Sequence, residues 1–205
     1  MTGIFTKIYK DNSWNYLSGP GSSVPYNYVF IQFMRDYLEK HDVTSMVDLG
    51  CGDFRVTEQI LARRKKIRYT GIDCVAFLIR MLEGIHKKDP NLSFECYDFA
   101  KEIDRIPFAD LYLIKDVLQH WPNNIIHHVL RFLVYDLRPK HIIIVNDGRQ
   151  KKPDRRLKEV GGYKGLSAKF LPLQKYNPKV ILTYREKEVS VITNDPKNHT
   201  SSMEK

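Results

Sequence analysis

The sequence predicts an α/β fold: a doubly wound, mostly parallel seven-stranded sheet with helices on both faces and a C-terminal antiparallel hairpin. Three observations carry that reading. Between residues 45 and 146 short apolar runs alternate with helical ones, the pattern of right-handed crossovers between parallel strands. Runs such as Ile142-Ile-Ile-Val145 are continuously apolar, as strands covered on both faces are. The last two apolar runs flank Arg185-Glu186-Lys187, a connection short enough for an antiparallel hairpin.

Taken in order, residues 1–25 carry little periodic pattern but many aromatic and turn residues, Tyr9, Trp14, Tyr16 and Ser18-Gly19-Pro20-Gly21-Ser22-Ser23. They are expected to form an ordered arm or lid. From 26 to 41, Val29, Phe30, Phe33, Met34 and Tyr37 recur at three- and four-residue steps opposite Gln32, Arg35, Asp36 and Glu39, which predicts an amphipathic helix. Strands are expected at 45–49, 68–72, 92–96, 111–115 and 141–146, and helices at 55–63, 76–85 and 124–137. The segment 147–178 breaks the alternation with basic residues, Gly161-Gly162 and two prolines, and a loop of that length is read as a substrate-side element. Strands at 180–184 and 188–193 close the core, and the polar tail 194–205 is expected to fray. The whole chain, 1–205, reads as a single domain with its core over 26–193.

Composition narrows the class. Hydrophobic residues are 42% and charged residues 28% of 205, the balance of a folded globular chain rather than a disordered or collagenous one. No run approaches the roughly 20 apolar residues of a membrane span, and the first residues lack a continuous apolar signal region. Cys51, Cys74 and Cys96 are too few and too dispersed for a disulfide framework or a thiolate zinc site, so a reducing cytoplasm is the simplest home. The net charge of +9 favours polyanionic partners but also suits any basic soluble surface.

The strongest local signal is Val47-Asp48-Leu49-Gly50-Cys51-Gly52-Asp53-Phe54, where the first strand meets the next helix. Glycines at 50 and 52 permit a tight turn and a close approach of ligand to backbone. The dinucleotide fingerprint G-x-G-x-x-G needs a third glycine where Arg55 stands, and no phosphate loop of the G-x-x-x-x-G-K-[ST] type exists. Asp73 ends the second strand 21 residues after Gly52, where a carboxylate can accept both ribose hydroxyls of an adenosine.

These residues resemble the class I S-adenosylmethionine-dependent methyltransferases. Asp48-Leu-Gly50-Cys-Gly52 is similar to their first motif, Gly71-Ile-Asp73 to their second, Cys96-Tyr97-Asp98-Phe99 to the adenine segment, and Asp110 through Trp121 to the fourth-strand motif, over roughly residues 4–193. The resemblance implies S-adenosylmethionine as cofactor. It implies Gly50 and Gly52 at the methionine portion, Asp73 on the ribose, Asp98 with Phe99 at the adenine, and Asp48 orienting the glycine turn or reaching the amino group. Phe54 departs from the family, many members having a third glycine there, and is expected to narrow the space over the methionine. The opening Ile8-Tyr9 to Ser22, Asp116-Val-Leu-Gln-His120 and Gly161-Gly162-Tyr163 resemble a subgroup associated with sugar and glycan modification, which sets the expected acceptor.

Methyl transfer from a sulfonium asks the protein mainly to align nucleophile and methyl, and a hydroxyl acceptor must also lose its proton. His120 and Asp116 follow the fourth strand and are the catalytic candidates, on one face if a helix begins near Asp116; a structural histidine with Asp116 as a cap is the alternative. Asp116 and Asp147, at adjacent strand ends, are also candidate ligands for Mg²⁺ or another hard cation, against the plainer reading of Asp147 as a turn aspartate. Trp14, Trp121 and Tyr163 are the expected stacking platforms for the acceptor. The clusters Arg63-Arg64-Lys65-Lys66 and Lys151-Lys152 with Arg155-Arg156 motivate a second function, ribose 2′-O-methylation of RNA; the fourth strand lacks the Asp/Asn-Pro-Pro-aromatic form of amine methylation, and no Pro-Cys offers a cytosine nucleophile. A non-catalytic module that binds S-adenosylmethionine is the third reading.

Overall fold

The computed structural model describes residues 2–14, 18–62, 66–149, 157 and 159–194. In chain order the elements are α1 (Thr2–Lys10), α2 (Tyr28–Lys40), β1 (Ser45–Leu49), α3 (Arg55–Leu61), β2 (Arg68–Asp73), α4 (Ala76–His86), β3 (Leu92–Cys96), β4 (Leu111–Lys115), α5 (Asn123–Arg131), β5 (His141–Asp147), β6 (Lys179–Tyr184) and β7 (Lys187–Thr193). Each strand lies within one residue of its expected bounds.

Among the described residues seven strands form one sheet in the order β3-β2-β1-β4-β5-β7-β6. The pairs β1–β2, β1–β4, β2–β3 and β4–β5 are parallel, whereas β7 runs antiparallel to both β5 and β6. The order reverses between β1 and β4, so the connections leaving their carboxyl ends run in opposite directions, the place where open α/β sheets leave a crevice for ligands.

The continuous apolar runs have a simple cause: side chains alternate between two cores. Leu111, Leu113, Ile143 and Val145 enter a core with α2, α3 and α4 residues such as Met34, Ile60 and Leu82. Tyr112, Ile114, Ile142 and Ile144 enter the opposite core with Val129, Leu130 and Leu133. Both sides of the central strands are therefore buried, and no polar alternation survives. Among the described residues, no helix is long and apolar enough to cross a membrane.

Four expectations change. The N-terminal arm contains a helix, α1, whose residues are all at least partly exposed and which packs through Tyr9 on Phe77 of α4 and through Phe5 on His120. The helix expected from residue 124 is α-helical only to Arg131 and continues as a π-helical turn over Phe132–Leu137. No helix begins at Asp116: that residue has φ +60, a single 3₁₀ turn spans Leu118–His120, and α5 starts only after Pro122. Asn194 is anchored rather than frayed, its Nδ2 donating to the Pro139 carbonyl at 3.0 Å. The rest of the tail, Tyr16, Arg63 to Lys65 and the basic cluster at 151–156 lie outside the described residues.

Candidate functional site

A cavity of about 290 Å³ opens on the carboxyl edge of the parallel strands. Its first wall is the turn after β1. Gly50 and Cys51 both donate their backbone N–H to the Ile72 carbonyl, at 2.8 and 3.1 Å, which folds the chain back over β2. Gly50 has φ +87, and a Cβ there would stand 2.4 Å from Val117 Cγ2; no larger residue fits. Phe54 adopts φ +64 at the start of α3. Its ring packs among Tyr69, His86 and Phe94, with centroids 4.8 to 5.2 Å apart. A left-handed φ is one that glycine adopts freely, and Phe54 accepts it while its ring packs in the core.

Four buried carboxylates, Asp48, Asp53, Asp73 and Asp98, line the cavity. Asp73 accepts the Gly52 N–H on Oδ2 and the Val75 N–H on Oδ1, both at 3.0 Å, and the Cys74 N–H also bears on it, so three backbone donors hold the carboxylate and part of its acceptor capacity remains for a ligand. Burial raises its pKa against those backbone donors. Asp48 instead binds Thr57 Oγ1 at 2.7 Å and the Tyr69 hydroxyl at 3.2 Å, so it fixes α3 to β1 rather than the glycine turn itself; burial pushes it up to about 6. Asp98 and Phe99 follow β3 and also line the cavity. Trp121 belongs with them: it is 3% exposed and its ring lies 5.2 Å from Phe99, not beside the other expected platforms. Its Nε1–H has no hydrogen-bond partner among the described residues.

The second wall comes from the N-terminal segment. Tyr9 and Ser18 join hydroxyl to hydroxyl at 2.8 Å, and Ser18 Oγ also accepts the Asp53 N–H at 2.9 Å, so the segment is clamped to the glycine turn. Gly52 has no room for a Cβ because Ser18 Oγ would be 2.6 Å away. Trp14 packs at 5.6 Å from the His120 ring, with Phe5 at 6.3 Å from Trp14.

His120 sits between these walls. Its Nδ1–H donates to the Gly162 carbonyl at 2.7 Å, and its backbone carbonyl accepts the Gly161 N–H at 2.9 Å. That contact fixes the tautomer with a basic Nε2, 3.5 Å from the Gln119 amide nitrogen. Burial holds its pKa below the ordinary value although Gly162 and Asp116 pull it up, so the ring is neutral at pH 7. Tyr163 stands at the rim, 6.1 Å from His120 between ring centroids.

Asp116 and Asp147 do not form the expected pair. Asp116 Oδ2 receives Lys115 Nζ at 2.6 Å and Oδ1 receives Lys187 Nζ at 2.5 Å. Burial would raise its pKa, but the two ammonium groups hold it below the usual carboxylate range, which makes it a poor base. Asp147 takes Arg149 in a two-pronged contact, at 2.9 Å to Oδ1 and 2.6 Å to Oδ2, and the Tyr163 hydroxyl as well. A hard cation would have to displace cationic partners from both carboxylates, and no group of three His, Cys, Asp or Glu suited to a metal occurs among the described residues. The structure also adds residues that carried no sequence signal. Lys115, Lys187 and Gln119, whose Oε1 accepts the Asp147 N–H at 2.9 Å, are not among the sequence candidates.

The model of the O-methyltransferase domain family matches residues 2–164. The O-methyltransferase gsfB of Penicillium aethiopicum is 36% identical over 104 residues, which are 50% of this chain and 23% of that protein, so the match spans about a quarter of the curated relative. Among solved structures, the methyltransferase domain of bacterial CtHen1 superposes with a TM-score of 0.63 at 18% identity, over 82% of this chain and 98% of the other. Human N-acetylserotonin methyltransferase in complex with SAM gives 0.61 at 17%, over 93% of this chain and 58% of the other. At these identities the structural likeness is one of fold.

Proposed function

The chain belongs to the O-methyltransferase domain family, and from that premise we propose that it is an S-adenosylmethionine-dependent O-methyltransferase acting on a hydroxyl of a sugar or glycan. The observation that carries the proposal is His120: its Nδ1–H is spent on Gly162, its Nε2 stays basic, and it lines the same cavity as the glycine turn and Asp73.

The residues present suit the cofactor. The glycine turn leaves backbone accessible beside buried carboxylates, and Trp121 contributes a buried donor that a ligand can satisfy. Gly50 and Gly52 would hold the methionine portion, Asp73 the ribose hydroxyls through its remaining lone pairs, and Asp98 with Phe99 the adenine. When bound, S-adenosylmethionine supplies a methyl on a sulfonium sulfur, which leaves as a neutral thioether as the acceptor oxygen forms its bond to carbon. The protein's part is to align the acceptor, exclude water under α1 and the Trp14 segment, and take the hydroxyl proton on His120 Nε2.

The sugar reading rests on the subgroup resemblance. It is supported by an indole at Trp14, whose face suits the C–H face of a pyranose, and by the Tyr163 hydroxyl at the rim, which suits a sugar hydroxyl. The cysteines are free, the state that a reducing compartment such as cytoplasm maintains. The test is transfer of labelled methyl from S-adenosylmethionine to a panel of monosaccharides, oligosaccharides, planar phenols and structured RNA, each with and without a chelator. Label in a sugar, insensitive to chelation, is expected. Label confined to phenols or to RNA would overturn the acceptor class.

A further inference from the structure

The cavity holds a charge arrangement that transfer to a neutral hydroxyl does not use. Lys115 ends β4 and Lys187 begins β7, two strands separated by β5, yet their ammonium groups meet on the single carboxylate of Asp116. Both lysine side chains are 9% exposed. Burying ammonium in excess of carboxylate is costly unless a further anion compensates it. No described carboxylate besides Asp116 hydrogen-bonds the two lysines: Asp48 is bound to Thr57 and Tyr69 and acts on Lys115 only through space, and Asp147 is bound to Arg149 and Tyr163. Among the described residues Lys115 also donates to the Gly21 carbonyl at 3.2 Å, whereas Lys187 has Asp116 alone, so N–H donors remain on both.

Space lies against these donors. The Cβ that Gly21 lacks would stand 3.9 Å from Lys187 Nζ and 4.0 Å from Asp116 Oδ2, and Gly21, Lys115, Asp116, Lys187 and His120 line one cavity. The charges of Asp116 and Lys187 both act on His120, which places the cluster close to the proposed base. Resting on the methyltransferase reading above, we propose that Lys187 and Lys115, spaced by Asp116, form an oxyanion subsite for a carboxylate or phosphate that the acceptor carries near the hydroxyl to be methylated. Such a group fixes the acceptor by charge while Trp14 fixes it by its face, and an acceptor without it is expected to bind more weakly.

The experiment is calorimetric titration of inorganic phosphate and of acetate, at constant ionic strength, into the protein with and without S-adenosylhomocysteine. It is repeated with Lys187→Met, which keeps the stem and removes the charge, and with Lys187→Arg, which keeps the charge. Expected are binding of at least one anion to the wild type with the nucleoside bound, a loss of at least tenfold in Lys187→Met with retention in Lys187→Arg, and nucleoside affinity unchanged within twofold. Stronger binding of acetate assigns a carboxylate, and of phosphate a phosphate. Equal binding by Lys187→Met, or no anion binding by the wild type, overturns the proposal. So does competition between the anions and the nucleoside with loss of nucleoside affinity in Lys187→Met, which would give the lysines to the cofactor's own carboxylate. Failure of the wild type to bind the nucleoside at all would overturn the function proposed above, while the titrations without nucleoside would still decide whether Lys187 holds an anion.

Discussion

The two sides of the cavity are built from different materials. The side at β1 and β2 is mostly backbone: the glycine turn is hydrogen-bonded to Ile72, and Asp73 is pinned by Gly52 and Val75, within one stretch of chain and between two paired strands. The side at His120 is mostly side chains, drawn from α1, the Trp14 segment, the β4 end, the 161–163 loop and the start of β7. Tightly paired strands leave the first side little freedom, whereas the second depends on loops staying docked. A site built in this way separates a constant task, holding one cofactor, from a variable one, choosing an acceptor.

The substitution expected to do most damage is on the rigid side. Gly50→Ala sets a Cβ against Val117 at φ +87, and the left-handed backbone alone costs about 1–2 kcal/mol. Urea unfolding is expected to show at least that loss, and nucleoside affinity to fall by about a hundredfold; a tolerated alanine would show that this side is as adaptable as the other.

On the other side the largest effect is one of pH. Because His120 titrates below its ordinary pKa, kcat/KM is expected to be flat near neutrality and to fall in acid, tenfold per pH unit below a midpoint under about 6.5. A midpoint above 7 would mean that another group is the base.

Asp48 sharpens the contrast through stability. Its folded pKa of about 6 exceeds the unfolded value near 3.8, so between those pH values the native state holds a proton that the unfolded state has released. Stability must then fall as pH rises from about 4 to 6, with a limiting slope near 1.4 kcal/mol per unit. Denaturation curves of Asp48→Asn should lack that component, and identical slopes for both proteins would contradict the assignment.

The smallest effect is expected at the clamp. Ser18→Ala removes the oxygen shared by Tyr9 and Asp53, a loss of about 0.5–1.5 kcal/mol per hydrogen bond. It should raise the acceptor KM more than the cofactor KM. The reverse would place the clamp with the rigid side.

The same division explains what could be read from the sequence. Gly50, Gly52 and Asp73 announce themselves because backbone geometry restricts the residue type, and strands buried on both faces leave continuous apolar runs. The acceptor side has no such grammar. Lys115 and Lys187 lie 72 positions apart, and only the β4-β5-β7 order brings them to one carboxylate. Asp116 was legible as a strand-end acid but not as one saturated by lysines, and its φ of +60 is incompatible with a helix beginning there. Trp14 and Trp121 look alike in sequence, yet the first covers His120 and the second packs on Phe99. Helix α1 has too few residues for a convincing apolar period, and its order comes from contacts with distant elements.

The most direct test is a crossed pair of variants in which S-adenosylhomocysteine affinity and methyl turnover are both measured. Asp73→Asn is predicted to weaken the nucleoside at least tenfold. His120→Ala is predicted to leave that affinity within twofold of wild type while turnover falls by about 10²-fold or more. If His120→Ala loses the nucleoside as Asp73→Asn does, or turns over at the wild-type rate, the two sides do not divide the work and His120 is not the base.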